Sequence, residues 1–498
     1  MTDLPDMTAV ALRDAVARGA VSPVELVEAC LGRIAAVNPA VNAVVALDAE
    51  RARAAARAAE AAVTRGEALG PLHGLPVAVK DTQDTAGLVT TYGSPLFAGH
   101  VPEADEACVA RLRAAGAIVI GKTNTPEFAA GANTRNAVYG ATGNAFDPSH
   151  SAAGSSGGSA VALACGMVPL ATGSDTGGSL RNPAAYAGVV GLRPSPGLVA
   201  SPTRALGWSP LPTDGPMARG VGDAALMLSV MASDDAGDPL AYTLPGEAPR
   251  ARPGLWAPPR PAALGALRVA ATEDFGFAPT ENHIRRVFRT RVAALAPLFA
   301  RVETASPDCA GADEAFAVLR AAHFLAQHGA TYRDRPDRLG ANIRANVAEG
   351  LGYDLADQAR AAATQTRIYR AFQAFFRHHD VLVSPAVTVS PRPWSEAYPA
   401  AIDGVATRSY FHWLALAYAV TLAGHPALSL PLGLDEAGLP FGLQIVGPRG
   451  GDALVLGVAA ALEAALAGDA LLSRPRPDLA RLAAAPPIAS AAGFRDPV

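Results

Sequence analysis

Between residues 75 and 124 the hydrophobic period changes twice, and this restricts the fold more than any other feature of the chain. "LPVAVKD" at 75–81 is a short, continuous, β-branched apolar run. "EACVARLRAAG" at 106–116 has helical spacing, and "AIVIGKTN" at 117–124 is apolar and β-branched again. Fully apolar strands that alternate with helices imply a sheet covered on both faces, hence an α/β layer architecture. The flanks agree. "SPVELVEACLGRI" at 22–34 carries a capping box from Ser22 to Glu25 with Pro23 at the first helical position, so it reads as a helix. "VNAVVAL" at 41–47 reads as a strand and 48–66 as a helix.

Further along, 131–160 is loop-rich, a helix is expected at 159–166, and "GSDTGGS" at 173–179 reads as a glycine-rich loop. Seven prolines between Pro239 and Pro261 mark a surface connection over 236–262. Residues 281–380 are mainly helical. Strands are expected at 380–387, 426–433 and 442–447, and a closing helix at 452–466. Half of the 498 residues are hydrophobic, enough for one large core. The most apolar stretch, 413–433, is broken by Gly424, His425 and Pro426, so it reads as helix, turn and strand rather than a membrane span.

Charge removes other classes. With 41 basic and 45 acidic residues the net charge is -4, and no basic block marks a nucleic-acid or membrane surface. Four scattered cysteines, Cys30, Cys108, Cys165 and Cys309, contain no C-x-x-C pair, so neither a zinc site nor a disulfide framework is expected. The opening residues lack a signal-peptide pattern, and a soluble, cytoplasmic protein is expected.

Three further motifs are weakened by their context, with nucleotide binding through Lys122 left as a remote alternative. "GAIVIGKT" at 116–123 fits the P-loop pattern with Lys122, but its four central residues form a strand-like run without a glycine. "GSSGG" at 154–158 fits a nucleophile elbow around Ser156, but no strand precedes it. "HHD" at 378–380 has no third metal ligand and reads as a solvated helix end.

Three features fit together. Lys80 ends an apolar strand directly before Asp81. To act as a base near neutrality its pKa must fall from about 10.4, on the order of 4 kcal/mol of desolvation. Ser155 lies in "AAGSSGGSA", and Thr176, Gly177 and Gly178 give backbone with small side chains just before Ser179. Successive free amides there are suited to a developing oxyanion. Two unrelated glycine-rich turns fit the spacing equally well.

Lys80, "GSSGGSAVALACG" and "DTGGSLRNPAAYAGVVGLRP" resemble the amidase signature family of serine hydrolases, in order and in the 24 positions between Ser155 and Ser179. "GKTNTPEFAAGANTRNAVYGATGNAFDP" at 121–148 and "HPALSLPLG" extend the resemblance along the chain, which is weakest at about 200–380. The resemblance implies one large domain with a twisted mixed β-sheet covered by helices. Its core motifs would lie at 70–200 and 380–470, with a more variable, substrate-side helical region at about 281–380. It implies a Ser–cisSer–Lys triad: Ser179 as nucleophile, Ser155 after a cis peptide as relay, and Lys80 as base. The amides of Thr176, Gly177, Gly178 and Ser179 would form the oxyanion hole, and Ala129 would offer a backbone carbonyl to substrate. Asp175 and Arg181 would support the loop. No metal or cofactor is implied.

The expected partner is a small amide molecule, with a homodimer compatible with the sequence. "LPTDGPMARGVGDAALML" at 211–228 resembles the stand-alone hydrolases more than the glutaminase subunits of tRNA-dependent amidotransferases. A small or linear, apolar or aryl amide is expected, with nylon-type oligoamides, carbamates and esters as relatives of that chemistry. Tyr92, Phe97, Tyr410, Phe411 and Trp413 are candidate pocket residues, or core.

Overall fold

The computed structural model describes residues 3–241 and 258–496. Its centre is a mixed sheet of eleven strands. In chain order these are β1 Val44–Leu47, β2 Pro76–Lys80, β3 Ile118–Thr123, β4 Leu170–Asp175, β5 Val190–Arg193 and β6 Thr213–Ala218, then β7 Arg268–Ala271, β8 Arg301–Thr304, β9 Val381–Pro385, β10 Ala427–Leu434 and β11 Pro440–Val446. The spatial order is β1-β3-β2-β4-β6-β5-β10-β11-β9-β7-β8. β2 runs parallel to both β3 and β4, whereas β4, β6, β5, β10 and β11 alternate in direction.

Six helices matter below: α1 Pro23–Val41, α2 Gly157–Ala164, α3 Arg181–Ala187, α4 Ala312–Asp334, α5 Ala341–Leu351 and α6 Ala415–Ala423. α5 packs through a small cluster of its own, Ile343 and Val347 with Ala130 and Leu339, and the other five cover the sheet through two larger apolar cores. One packs Leu26 and Val27 against Val77, Val79 and Ile120. The other packs Phe316 and Tyr418 against Leu382 and Val446. This is the single α/β domain expected from the period changes. Among the described residues no helix is long and apolar enough to cross a membrane.

Two boundaries differ from expectation. The Ser22 capping box starts α1 as read, but the helix continues to Val41, so β1 begins only at Val44. The reason is Asn38, whose Oδ1 accepts the amides of Ala43 and Val44 and carries the chain directly from helix into strand. The expected loop at 173–179 is half strand, because β4 runs to Asp175. Its antiparallel partner β6 pairs it rung by rung as far as Thr213. Of the expected proline-rich connection, residues 242–257 lie outside the described residues.

Candidate active site

Pairing Val77 with Leu170 in parallel brings the C-terminal ends of β2 and β4 side by side. Lys80 at the end of β2 has no exposed surface. Its Nζ donates to Ser155 Oγ at 2.6 Å and to Ser174 Oγ at 2.9 Å. Its backbone N–H meets Thr172 Oγ1 at 2.9 Å; that hydroxyl donates to Gln83, and Gln83 Nε2 donates to Asp214 Oδ1 at 3.0 Å. Burial lowers the Lys80 pKa to about 7, against the opposing pull of Asp214 and Asp175. Near neutral pH a large share of Lys80 is therefore the free amine, which can accept a proton.

Ser155 follows a cis peptide bond from Gly154 and is fully buried. Ala153, just before Gly154, sits at φ 55°, in the region that side-chain-bearing residues avoid. Its carbonyl accepts the Thr134 amide at 3.0 Å and the Thr134 hydroxyl at 2.8 Å, which fixes the turn. Ser156 points the other way. Its Oγ accepts the Ser174 amide at 3.3 Å and donates to the Ser174 carbonyl at 3.4 Å. With no strand before it and no exposure, Ser156 does not form a nucleophile elbow. The glycines after it serve close packing: a Cβ on Gly158 would lie 2.3 Å from the Asn124 amide nitrogen.

From residue 151 to 201 every residue is buried except Ser174, Thr176 and Ser179. Ser174 lies near the end of β4, and Thr176 and Ser179 lie in the turn that follows it. Asp175 shapes that turn, accepting the amides of Gly178 at 2.8 Å and Leu180 at 3.1 Å. Burial raises its pKa, but Arg181 and Arg193 outweigh this and hold it well below the usual carboxylate range. The Gly178 amide is thus already engaged, so Gly178 holds the loop instead of offering a free donor. The amides of Thr176, Gly177 and Ser179 have no partner among the described residues. Gly178 sits at φ 112°, and a Cβ there would lie 2.6 Å from the Ala417 methyl.

The Ser179 carbonyl accepts the Ser156 amide at 3.3 Å, which ties the two glycine-rich segments together. Ser179 Oγ has no hydrogen bond among the described residues, so the Ser155 and Ser179 hydroxyls are not yet joined. Arg181 has every N–H engaged. Nε and Nη2 reach Asp175, Nη2 also reaches Thr421, and Nη1 reaches the Ala417 carbonyl and Gln444.

Sequence reasoning missed Ser174, Thr172, Gln83 and Asp214. Thr172 and Ser174 share one face of β4 by strand alternation, and this polar pair was the available signal.

Phe128 and Ala129 are consecutive left-handed residues, at φ 47° and 58°, and the Ala129 carbonyl accepts the Gly131 amide at 3.2 Å. Strain of this kind in two non-glycine residues marks a shape worth holding. Of the candidate aromatics, Tyr92 and Phe97 pack on Phe128, and Phe411 packs edge-on to Phe316. Trp413 is buried in the second core, with its indole N–H on the Tyr410 carbonyl.

The P-loop pattern is strand β3, with Lys122 buried and donating to the Gln83 carbonyl, Thr85 and Thr90. His379 of "HHD" is not the solvated helix end expected. It is buried, stacks on Phe375 and bonds Glu303 at 2.6 Å, because the chain turns inward there to enter β9. Glu106, Cys108 and Asp214 bring donor atoms within 4.8 Å of one another, but Gln83 Nε2 already donates to Cys108 and Asp214 there.

The chain matches the family described as Amidase over residues 25–456. It is 36% identical over 500 residues to a glutamyl-tRNA(Gln) amidotransferase subunit from Acidothermus cellulolyticus, covering 93% of this chain and 95% of that protein. It is 34% identical over 464 residues to an acylamidase of Rhodococcus erythropolis, covering 92% and 95%. Among solved structures, a bacterial aryl acylamidase of the amidase signature family superposes with a TM-score of 0.85 at 25% identity, over 92% of this chain and 96% of that one. The chain belongs to the amidase signature family and is a hydrolase of carbon–nitrogen bonds.

Proposed function

We propose that this family member cleaves a small or linear amide, with an apolar or aryl part, through an acyl-enzyme on Ser179. The observation that carries the reading is the single opening in the 151–201 core: Ser174, Thr176 and Ser179 reach solvent beside the buried Lys80–Ser155 contact. Ser179 Oγ attacks the amide carbonyl while its proton passes to Ser155 Oγ, and the Ser155 proton passes to Lys80 Nζ. The developing oxyanion is met by the amides of Thr176, Gly177 and Ser179. Collapse of the tetrahedral species breaks the C–N bond, and the departing amine takes the proton back along the same path. Water then attacks the ester, losing its proton through Ser155 to Lys80, and releases the acid and free Ser179. Asp175 and Arg181 hold the loop. Ala129 presents its carbonyl to the substrate. In this division of labour the segments 70–200 and 380–470 hold the core motifs, with the reacting groups all in the first, and 281–380 supplies the substrate side.

A fluorophosphonate probe followed by peptide mass spectrometry should label Ser179. Labelling of Ser156, or none in protein that turns over amides, overturns the assignment. A second reading, a glutaminase component that needs a partner, is favoured by the 36% identity to a protein of an amidotransferase. The purified chain assayed alone on aryl amides, oligoamides, carbamates, esters and glutamine separates the two. Turnover of an aryl amide supports the first reading; ammonia from glutamine only when a partner is added supports the second.

A further inference from the structure

We propose that Arg320 anchors a carboxylate carried by the substrate, so that the amide cleaved at Ser179 bears an acidic group on one side of the scissile bond. The inference rests on the reading above and adds a substrate class to it. α4 lies over the opening. The Phe316 ring is 3.0 Å from where a Cβ on Gly177 would sit, which places it against the proposed oxyanion loop. Arg320 is four residues, just over one helical turn, further on, about 6 Å along the axis.

Its surroundings are those of a half-built site. Arg320 is only 7% exposed. The rings of Phe324, Tyr410 and Phe411 lie 4.5, 4.8 and 4.7 Å from its guanidinium carbon and occupy the faces of the cation. In its plane, Nη1 donates to Asn346 Oδ1. Asn346 is held in that orientation because its Nδ2 donates to the Asn342 carbonyl at 2.5 Å and to Tyr410 Oη at 2.7 Å.

No carboxylate pairs with Arg320 among the described residues, and no other acceptor meets its remaining N–H groups. Among the other buried arginines, Arg291 and Arg135 each donate to one backbone carbonyl, of Leu434 and Gly493, and neither has rings on both faces as Arg320 has. Arg181 and Arg193 share Asp175. Arg219 reaches two backbone carbonyls, of Val168 and Met7.

The neighbourhood is also poor in anions. The nearby acid, Glu349, is exposed and bound by Tyr353 at 2.7 Å. His323 bonds Ser209 at 2.7 Å, and burial, with Arg204 and Arg320 beside it, lowers its pKa to about 4, so it is neutral at pH 7. Unpaired buried charge is costly, and a ligand carboxylate relieves that cost where the chain supplies none. With both faces covered by rings, the open edge of the guanidinium is a flat fork that matches a carboxylate in-plane.

The test uses the full chain carrying Ser179→Ala, titrated by calorimetry with three probes. Butyryl p-nitroanilide is neutral, glutaryl p-nitroanilide carries its carboxylate on the acyl side, and N-butyryl-4-aminobenzoate carries it on the amine side. One carboxylated probe should bind at least about tenfold tighter than the neutral one, as expected for a charge-assisted bidentate contact. Which probe it is assigns the side. Adding Arg320→Met should remove that advantage, and Arg320→Lys, which keeps the charge but not the fork, should retain part of it. With Ser179 intact, the loss should appear as a raised KM for the carboxylated substrate with kcat within about threefold. Equal affinity for all three probes overturns the proposal, as does an Arg320→Met variant that weakens all three alike. Binding does not require turnover, so the fates separate. Arg320-dependent binding with Ser179 unlabelled by fluorophosphonate sinks only the mechanism. Labelled Ser179 without a carboxylate advantage sinks only this inference.

Discussion

Lys80 ends β2 and Lys122 is the last residue but one of its parallel neighbour β3, with Val79 facing Lys122 and Lys80 facing Thr123. The stagger turns the two side chains to opposite faces of the sheet. Both are fully buried, and burial lowers both, to about 7 and about 8. The difference lies in what surrounds each amine. Lys80 meets two serine hydroxyls, groups that can accept from it or donate to it. Lys122 meets the Gln83 carbonyl, which can only accept, and the hydroxyls of Thr85 and Thr90, whose own protons go to the Gln83 and Leu88 carbonyls. A lysine that can exchange donor for acceptor at its Nζ can take up a proton during a reaction. One fixed on a carbonyl must remain a donor. Burial alone therefore does not mark a catalytic lysine; the donor character of its neighbours does.

That contrast is sharpest in kcat. Lys80→Ala should lower it by about 10⁴ or more, as expected for removing one member of a unit that acts together. A variant retaining over about 1% of the wild-type rate breaks the comparison. Lys122→Met should instead act on stability. It removes the buried donor shared by the Gln83 carbonyl, Thr85 and Thr90, for a loss of about 2–3 kcal/mol in denaturant unfolding, with turnover per folded molecule within about tenfold.

The pH profile comes next in size. In the proposed mechanism only neutral Lys80 accepts the proton, so kcat/KM should rise about tenfold from pH 6 to pH 8, with its midpoint near 7. Stability should follow the same residue. Folding lowers the Lys80 pKa, so between about 7 and 10.5 the unfolded chain binds more protons than the folded one. Stability from this group is therefore lowest below 7 and rises with pH through that window, and Lys80→Met should flatten the rise. The smallest effect is expected for Ser174→Ala. It removes one acceptor of the ammonium form, so the kinetic midpoint should move to lower pH while the rate falls no more than about fivefold.

The parts of the site that were legible in the sequence are those the backbone alone dictates. The period changes at 75–124 identify β2 and β3, and the glycines around Ser155 and Ser179 mark where the chain must approach itself closely. Ser174 was hidden because the glycine-rich pattern read as loop, whereas pairing with β6 holds it in strand as far as Asp175. Asp214 was hidden for a different reason. Its closeness to Lys80 depends on the Thr172–Gln83 chain, whose members lie up to 131 positions from it. Arg320 and its aromatic faces come from α4 and from residues near 410, and no local period announces that meeting. His379 shows the same limit: a polar tripeptide reads as solvent-facing until a strand entry turns it inward.

The bonds of Arg181 also set a schedule. Its guanidinium reaches Ala417, Thr421 and Gln444, which lie 236, 240 and 263 positions later in the chain. A ribosome has therefore passed position 444 before the turn carrying Ser179 is clamped from behind. While synthesis is under way, the N-terminal half holds lysine and serines without the brace that sets their loop. The earliest moment of activity falls near the end of translation, so a chain cut short before β11 is not a small enzyme but an unbraced one.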